Sequence, residues 1–164
     1  MLDGSLIADV LPRRVRAATL EDLPQILALG ERMRAESLIA FDPIEPAVAE
    51  RMLGIIVAHP DRFMAAVAED SGGRICGFLT AFATETSWSS RLCAIHDIFF
   101  VAPERRGSLA ASDLVDHFHA WARRIGCRRT IMAVHTKLYL ERTGRFYEKK
   151  GYTHIGGVYM QELN

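Results

Sequence analysis

The sequence predicts an α/β (α+β) domain with a mixed, mostly antiparallel central sheet flanked by helices, in the order β-α-α-β-β-β-α-β-α-β. Three observations carry this. Ile95–Val101 is rich in β-branched and aromatic residues and leads through the polar turn Ala102–Ser108 into a helical stretch. There Leu114, Phe118, Trp121 and Ile125 recur at spacings of four, three and four, which puts them on one face. Asp70-Ser71-Gly72-Gly73 stands between two apolar runs as a hairpin turn, and Pro43 with Pro46 divides an earlier helical region in two.

The elements follow in order. Residues 1–12 read as an N-terminal lead-in, and 13–164 as one domain. A first strand is expected around Arg14–Ala18. Thr19 then acts as an N-cap with Asp22 three residues on, and Pro24 in the first turn costs little because its missing N–H would have been unpaired anyway. Leu23, Ile26, Leu27 and Met33 carry that helix toward Ala35, and a second spans about Ala47–Ala58 and ends before Pro60. Phe63–Ala68 and Ile75–Ala83 form the hairpin strands, Glu85–Arg91 a polar connection and Leu92–Val101 the next strand. Gly126 is the stop of the central helix, with Arg123 and Arg124 in its last turn. Thr130–Val134 is a short buried strand, Thr143–Lys150 a brief helix, and Tyr152–Met160 a last strand bent at Gly156-Gly157.

Composition narrows the function. Among 164 residues, 49% are apolar and 24% charged, which suits a globular domain. Lys plus Arg and Asp plus Glu each number 20, so no net positive field argues for nucleic acid as a partner. No apolar run is long enough for a membrane span, and the start has neither the basic residues nor the apolar stretch of a signal peptide. Cys76, Cys93 and Cys127 are an odd number without close spacing, which excludes a disulfide framework or zinc site and points to a reduced, cytoplasmic setting. His117 and His119, two apart on a helix, do not share a face as a metal pair. No metal is expected.

Two stretches then acquire meaning together: Val101-Ala102-Pro103-Glu104-Arg105-Arg106-Gly107-Ser108 and Phe146-Tyr147-Glu148-Lys149-Lys150-Gly151-Tyr152. With Ala18–Leu23 at the start, they resemble the GNAT superfamily of acyl-CoA-dependent N-acyltransferases, over nearly the whole chain. The resemblance implies acetyl-CoA as co-substrate and transfer of its acetyl group to a primary amine by direct attack in a ternary complex. Convergent N–H groups over Arg106–Ser112 (Arg106, Gly107, Ser108, Leu109, Ala110, Ala111 and Ser112) would then receive the pyrophosphate, as a helix start favours. The stretch Phe99, Phe100 and Val101 would present a strand edge to the cofactor arm, Phe99 and Val101 through their backbone. His135 stands where the family often has an asparagine contacting the arm. Leu109 departs from the family's central glycine; leucine does not take φ > 0 comfortably, so the turn must stay in ordinary backbone space. Some members carry a similar Arg-Gly-Ser-x-Ala-Ala form.

Tyr147 matches the tyrosine that serves the family as general acid for the departing thiolate; a phenol of ordinary pKa near ~10 is protonated at neutral pH. Asp97, four before Val101, stands where many relatives hold a proton-accepting glutamate, and an acid within an apolar strand is expected to be buried, which suits a base. Alternation along a strand puts the neighbouring His96 on the opposite side. Each has a bland reading as well: a packed tyrosine, a structural carboxylate, a solvent-facing His135. The acceptor, a small-molecule or a peptide/protein amine, would be set by Ser37–Pro46 and Thr84–Arg91, where Trp88 either lines the pocket or caps the core. Glu36, Asp42, Glu45 and Glu85 hint at a cationic acceptor. A non-catalytic acyl-CoA-binding or regulatory domain is the alternative, an interaction module working through a sheet edge is a third, and a homodimer stays open.

Overall fold

The structure, a computed structural model, describes residues 15–161 and 163. The lead-in 1–12 therefore lies outside the described residues. Five strands form one sheet in the order β1-β2-β3-β4-β5: β1 (Val15–Ala17), β2 (Phe63–Glu69), β3 (Ile75–Thr86), β4 (Ser89–Val101) and β5 (Arg129–Ile131). The first four pair antiparallel and β5 joins β4 parallel. Four helices flank the sheet: α1 (Leu23–Glu36), α2 (Pro46–Ala58), α3 (Ala110–Arg124) and α4 (Leu140–Lys149).

The apolar run of β2 follows from burial on both faces. Its Ala66 and Ala68 belong to the core under α3, with Leu79, Leu114, Phe118 and Trp121. Its Ala65 and Val67 belong to a second core under α1 and α2, with Leu29, Leu53, Phe78 and Phe100. The wholly buried Leu114, Val115 and Phe118 realise the predicted apolar face of α3, and Gly126 ends it at φ +80°. At the other end of the chain, Thr19 N–H donates to Asp22 Oδ2 at 2.8 Å, and Arg16 grips the same carboxylate with two bonds of 2.7 and 2.8 Å. That grip holds the Asp22 pKa down to about 2 and locks β1 onto the start of α1.

Three expectations change. Residues 152–161 form no strand: β5 is only three residues long and offers little edge to pair with, and Ile155, Val158 and Tyr159 stand exposed around Gly156-Gly157. Tyr152 is nevertheless held, its hydroxyl 2.8 Å from His119 Nε2 and accepting from Thr130 Oγ1 at 3.1 Å. The polar connection after Ala83 is instead a continuation of both strands to a tight turn, because the alternating Thr and Glu of Thr84–Thr86 suit an exposed ribbon. Trp88 at its tip is 94% exposed and neither caps the core nor lines the main cleft.

Candidate active site

The site begins where two strands part. β4 and β5 pair at Cys93↔Arg129, Ala94↔Thr130 and Ile95↔Ile131, and no further. On its other side β4 pairs Ile98 with Thr80 but His96 with Ala81, so Asp97 is an extra, bulged residue. The bulge overturns the alternation argument: His96 and Asp97 both line the same cleft. It also changes Asp97 from the expected buried acid to an exposed one, because the extra residue is pushed out of the ladder.

His96 fills the parting. It is 4% exposed, and its Nδ1 accepts the N–H of Ala133 at 3.3 Å, where a strand ladder would have placed a carbonyl. Burial, and then the neighbouring His135, lowers its pKa to about 4, so the ring is neutral near pH 7. The His135 ring stacks on it with centroids 5.3 Å apart and planes at 14°. The same Ala133 peptide is held from the other end: its carbonyl accepts the Tyr147 hydroxyl at 3.3 Å. Tyr147 is buried on α4, and that burial, followed by nearby Tyr152, pushes its pKa up, so the phenol keeps its proton.

Beyond the bulge β4 has no strand partner on the β5 side among the described residues. Ile98 N–H turns to Thr80 Oγ1 at 3.1 Å, and Ala102 N–H to Cys76 O at 2.9 Å, both on β3. By alternation the backbone groups of Phe99 and Val101 face the parting. Phe100, expected with them, packs its ring into the core under α1 and α2 and does not reach the cleft, since its side chain points to the other face from that of Phe99.

The turn into α3 closes one end. Gly107 takes φ +88°, while Leu109 sits at φ −72°, ψ −13°, so the leucine does stay in ordinary backbone space and the glycine alone takes the left-handed turn. The first helical bond runs from Asp113 N–H to Leu109 O at 2.8 Å. The N–H groups of Leu109, Ala110, Ala111 and Ser112 are therefore left over by the helix, and Ser108 Oγ takes that of Ala110 at 3.4 Å. Gly107, Ser108 and Ala111 line the cleft; Leu109 is exposed beside it, Ala110 is buried beneath it, and Ser112 is off its wall. Arg106 pairs with Glu36, gives Nε–H to Val101 O at 3.1 Å, and lies over the rings of Phe100 and Tyr139. It thus ties the turn to the end of α1.

The cleft encloses about 670 Å³. Its far wall comes from the α1–α2 connection, which is tethered across the parting by Leu38 N–H to Thr136 O at 3.1 Å. Of the acids suggested by sequence, Glu36 and Asp42 line it with Asp97, whereas Glu45 and Glu85 do not. Met33, Phe41, Ile44, Tyr139, Arg142 and Phe146 also line it and were not singled out by sequence. Phe146 had a signal, since it opens the Phe-Tyr motif, and Phe41 and Ile44 fall in the Ser37–Pro46 stretch expected to set the acceptor. Lys137 and Tyr139 take φ +58° and +51°, an unusual backbone for such residues that no residue type announces.

A strand pair that parts around a bulge, with a glycine turn and helix mouth at one end and a buried tyrosine on its rim, is matched by a family model. The model, described as an acetyltransferase (GNAT) domain, covers residues 60–154. The chain belongs to the GNAT family. The match runs from just before β2 to just after α4, so every strand and turn of the parting lies within it. None of the curated proteins compared with it matches. Among solved structures, a GNAT-like fold recurs widely. Glucosamine-6-phosphate N-acetyltransferase from Arabidopsis thaliana superposes with a TM-score of 0.73 at 15% identity, over 93% of this chain and 98% of the other. AAC(6')-Iy in complex with the bisubstrate analogue CoA-S-monomethyl-acetylneamine gives 0.74 at 15%, over 93% and 99%. Ribosomal-protein-alanine N-acetyltransferase from Brucella melitensis biovar Abortus 2308 gives 0.71 at 16%, over 93% and 100%. At these identities the likeness is one of fold. No helix among the described residues of this GNAT chain is long and apolar enough to cross a membrane, and no group of three or more His, Cys, Asp or Glu among them is placed to hold a metal ion.

Proposed function

We propose that this GNAT protein transfers the acetyl group of acetyl-CoA to a primary amine, by direct attack with both substrates bound. The observation that carries the reading is the Ala133 peptide at the parting of β4 and β5, gripped by His96 Nδ1 at its N–H and by the Tyr147 hydroxyl at its carbonyl, within one cleft that also takes in the Gly107 turn. The left-over N–H groups at the start of α3 suit a pyrophosphate. The Phe99 backbone and the Val101 N–H, which face the parting, suit an extended amide-bearing arm, while the Val101 carbonyl is taken by Arg106. A β4 N–H facing the parting would polarise the thioester carbonyl, in the manner of an oxyanion donor.

Attack forms the C–N bond and breaks the C–S bond. The amine proton goes to Asp97, directly or through water, and the departing thiolate takes the hydroxyl proton of Tyr147. The bulge at Asp97, which puts this carboxylate on the cleft wall, supports that role. His135, stacked on His96, borders the arm. The reading of a domain that binds without turnover rested on Leu109, and the ordinary backbone of that residue argues against it. The buried thiols Cys76 and Cys93 fit a reduced, cytoplasmic setting. The test is titration calorimetry with acetyl-CoA together with a free-thiol assay over a panel of amines. Binding with turnover of at least one amine is the expected result; binding without turnover on any would leave only the binding domain.

A further inference from the structure

The cleft passes from one face of the sheet to the other, and its two halves have different chemistry. Phe99, Val101, Ala111 and Phe146 line it and belong to the core on the α3 face. Met33, Phe78 and Ile98 line it and belong to the core on the α1 and α2 face. The first half contains the Gly107 turn and so takes the cofactor, on the reading given above. The second is left for the acceptor.

That second half is walled by apolar side chains: Met33, Phe78 and Ile98 from the core, and Phe41 and Ile44 from the α1–α2 connection. Ile44 leans closely on Gly30, where a Cβ would lie 2.9 Å from its Cδ1. Of the arginines on the cleft, Arg34 is engaged with Glu31 and the Phe41 carbonyl and Arg106 with Glu36, while Arg142 forms no ion pair among the described residues. Among the described residues Asp42 and Asp97 form no ion pair, and both are exposed at the mouth. A polyhydroxylated acceptor would lay much of its surface against the apolar wall of Met33, Phe41, Ile44, Phe78 and Ile98, where its hydroxyls find no partner.

We infer that the acceptor is a primary amine carried on an apolar body, aliphatic or aromatic, whose ammonium end meets Asp42 and Asp97 at the mouth while the body lies against Ile44, Ile98 and Met33. Amino sugars and aminoglycosides are excluded as preferred acceptors by the same wall. The assay compares 2-phenylethylamine with glucosamine and neamine, by equilibrium binding to the CoA-saturated protein and by thiol release. The first should bind, and its kcat/KM should exceed the others by about 10- to 100-fold, the range one apolar contact surface provides. Ile44→Asn should raise KM for 2-phenylethylamine about 10-fold and narrow its advantage over glucosamine. Because Ile44 leans on α1, its melting temperature and CoA affinity are measured beside Asp42→Asn, an exposed change that should raise KM for the charged amine without affecting the fold. Equal or tighter binding of glucosamine or neamine, or no binding of 2-phenylethylamine, overturns the inference. Binding of 2-phenylethylamine without thiol release would instead sink the transfer reading and leave this assignment standing.

Discussion

His96 should make this protein lose stability on mild acidification, by an amount the structure sets. Its pKa lies at about 4 when folded, against 6.5 for an ordinary histidine. The folded state therefore binds fewer protons than the unfolded chain between these values. The group's full stability is present above pH 6.5 and falls away as pH drops toward 4. At ~1.36 kcal/mol per pKa unit the whole interval is worth about 3 kcal/mol, of which about 2 kcal/mol is gone by pH 5. For a chain of this length that is a fall in melting temperature of about 4–8 °C. Asp22, held near 2, does not contribute in this window; it loses stability only as pH falls below about 4. His117 and His119 are also lowered by burial and act in the same direction, so a difference measurement is needed to isolate His96. His96→Asn provides it, because the amide oxygen can accept the Ala133 N–H as Nδ1 does and cannot be protonated in this range. Urea unfolding of both proteins at pH 7.5, 6, 5 and 4.5 should show the variant losing less, with the gap widening as pH falls. Parallel lines would refute the reasoning.

Three further outcomes follow from the site. Tyr147→Phe should cut turnover by roughly 10²- to 10⁴-fold, with CoA affinity intact and a stability loss of at most ~1 kcal/mol, because only a long bond to Ala133 is removed; turnover near wild type by the thiol assay would make the tyrosine a packing residue. Gly107→Val should weaken CoA binding in calorimetry; nothing lies within 4 Å of the added Cβ, so the penalty is the φ of +88° itself, about 1–2 kcal/mol, and unchanged affinity would move the pyrophosphate elsewhere. Asp97→Asn should depress kcat/KM most at low pH and recover in part at high pH, where free amine is abundant; a wild-type pH profile would take Asp97 out of the mechanism.

The parts of this fold that were legible in sequence are those in which a residue type has one job. Thr19 and Asp22 cap, Gly73 and Gly126 turn left-handed, and the apolar stripe of α3 faces the sheet. The same holds for the Gly107 turn and the Phe146-Tyr147 pair. What stayed hidden depends on partners far along the chain. The bulge at Asp97 lies within a continuous apolar run, so nothing in that run announces a skipped pairing, and with it went the correct side for His96. The pairing of the Arg106 side chain with Glu36, seventy residues earlier, has no local signature either. The apolar wall of the cleft is built from residues ordinary for any helix or loop. The strand expected at Tyr152–Met160 has the right side chains and no sufficient edge beside it.

A cleft that opens on both faces of a sheet has two doors. If the cofactor uses one and the amine the other, neither has to wait for the other to enter, and spent CoA can leave while the acetylated product is still seated. Initial-rate kinetics would then carry the signature of random order, with each substrate competitive only with its own product. The Ala133 peptide, clamped in the wall between the two doors, would be the one piece of backbone that both traffics pass.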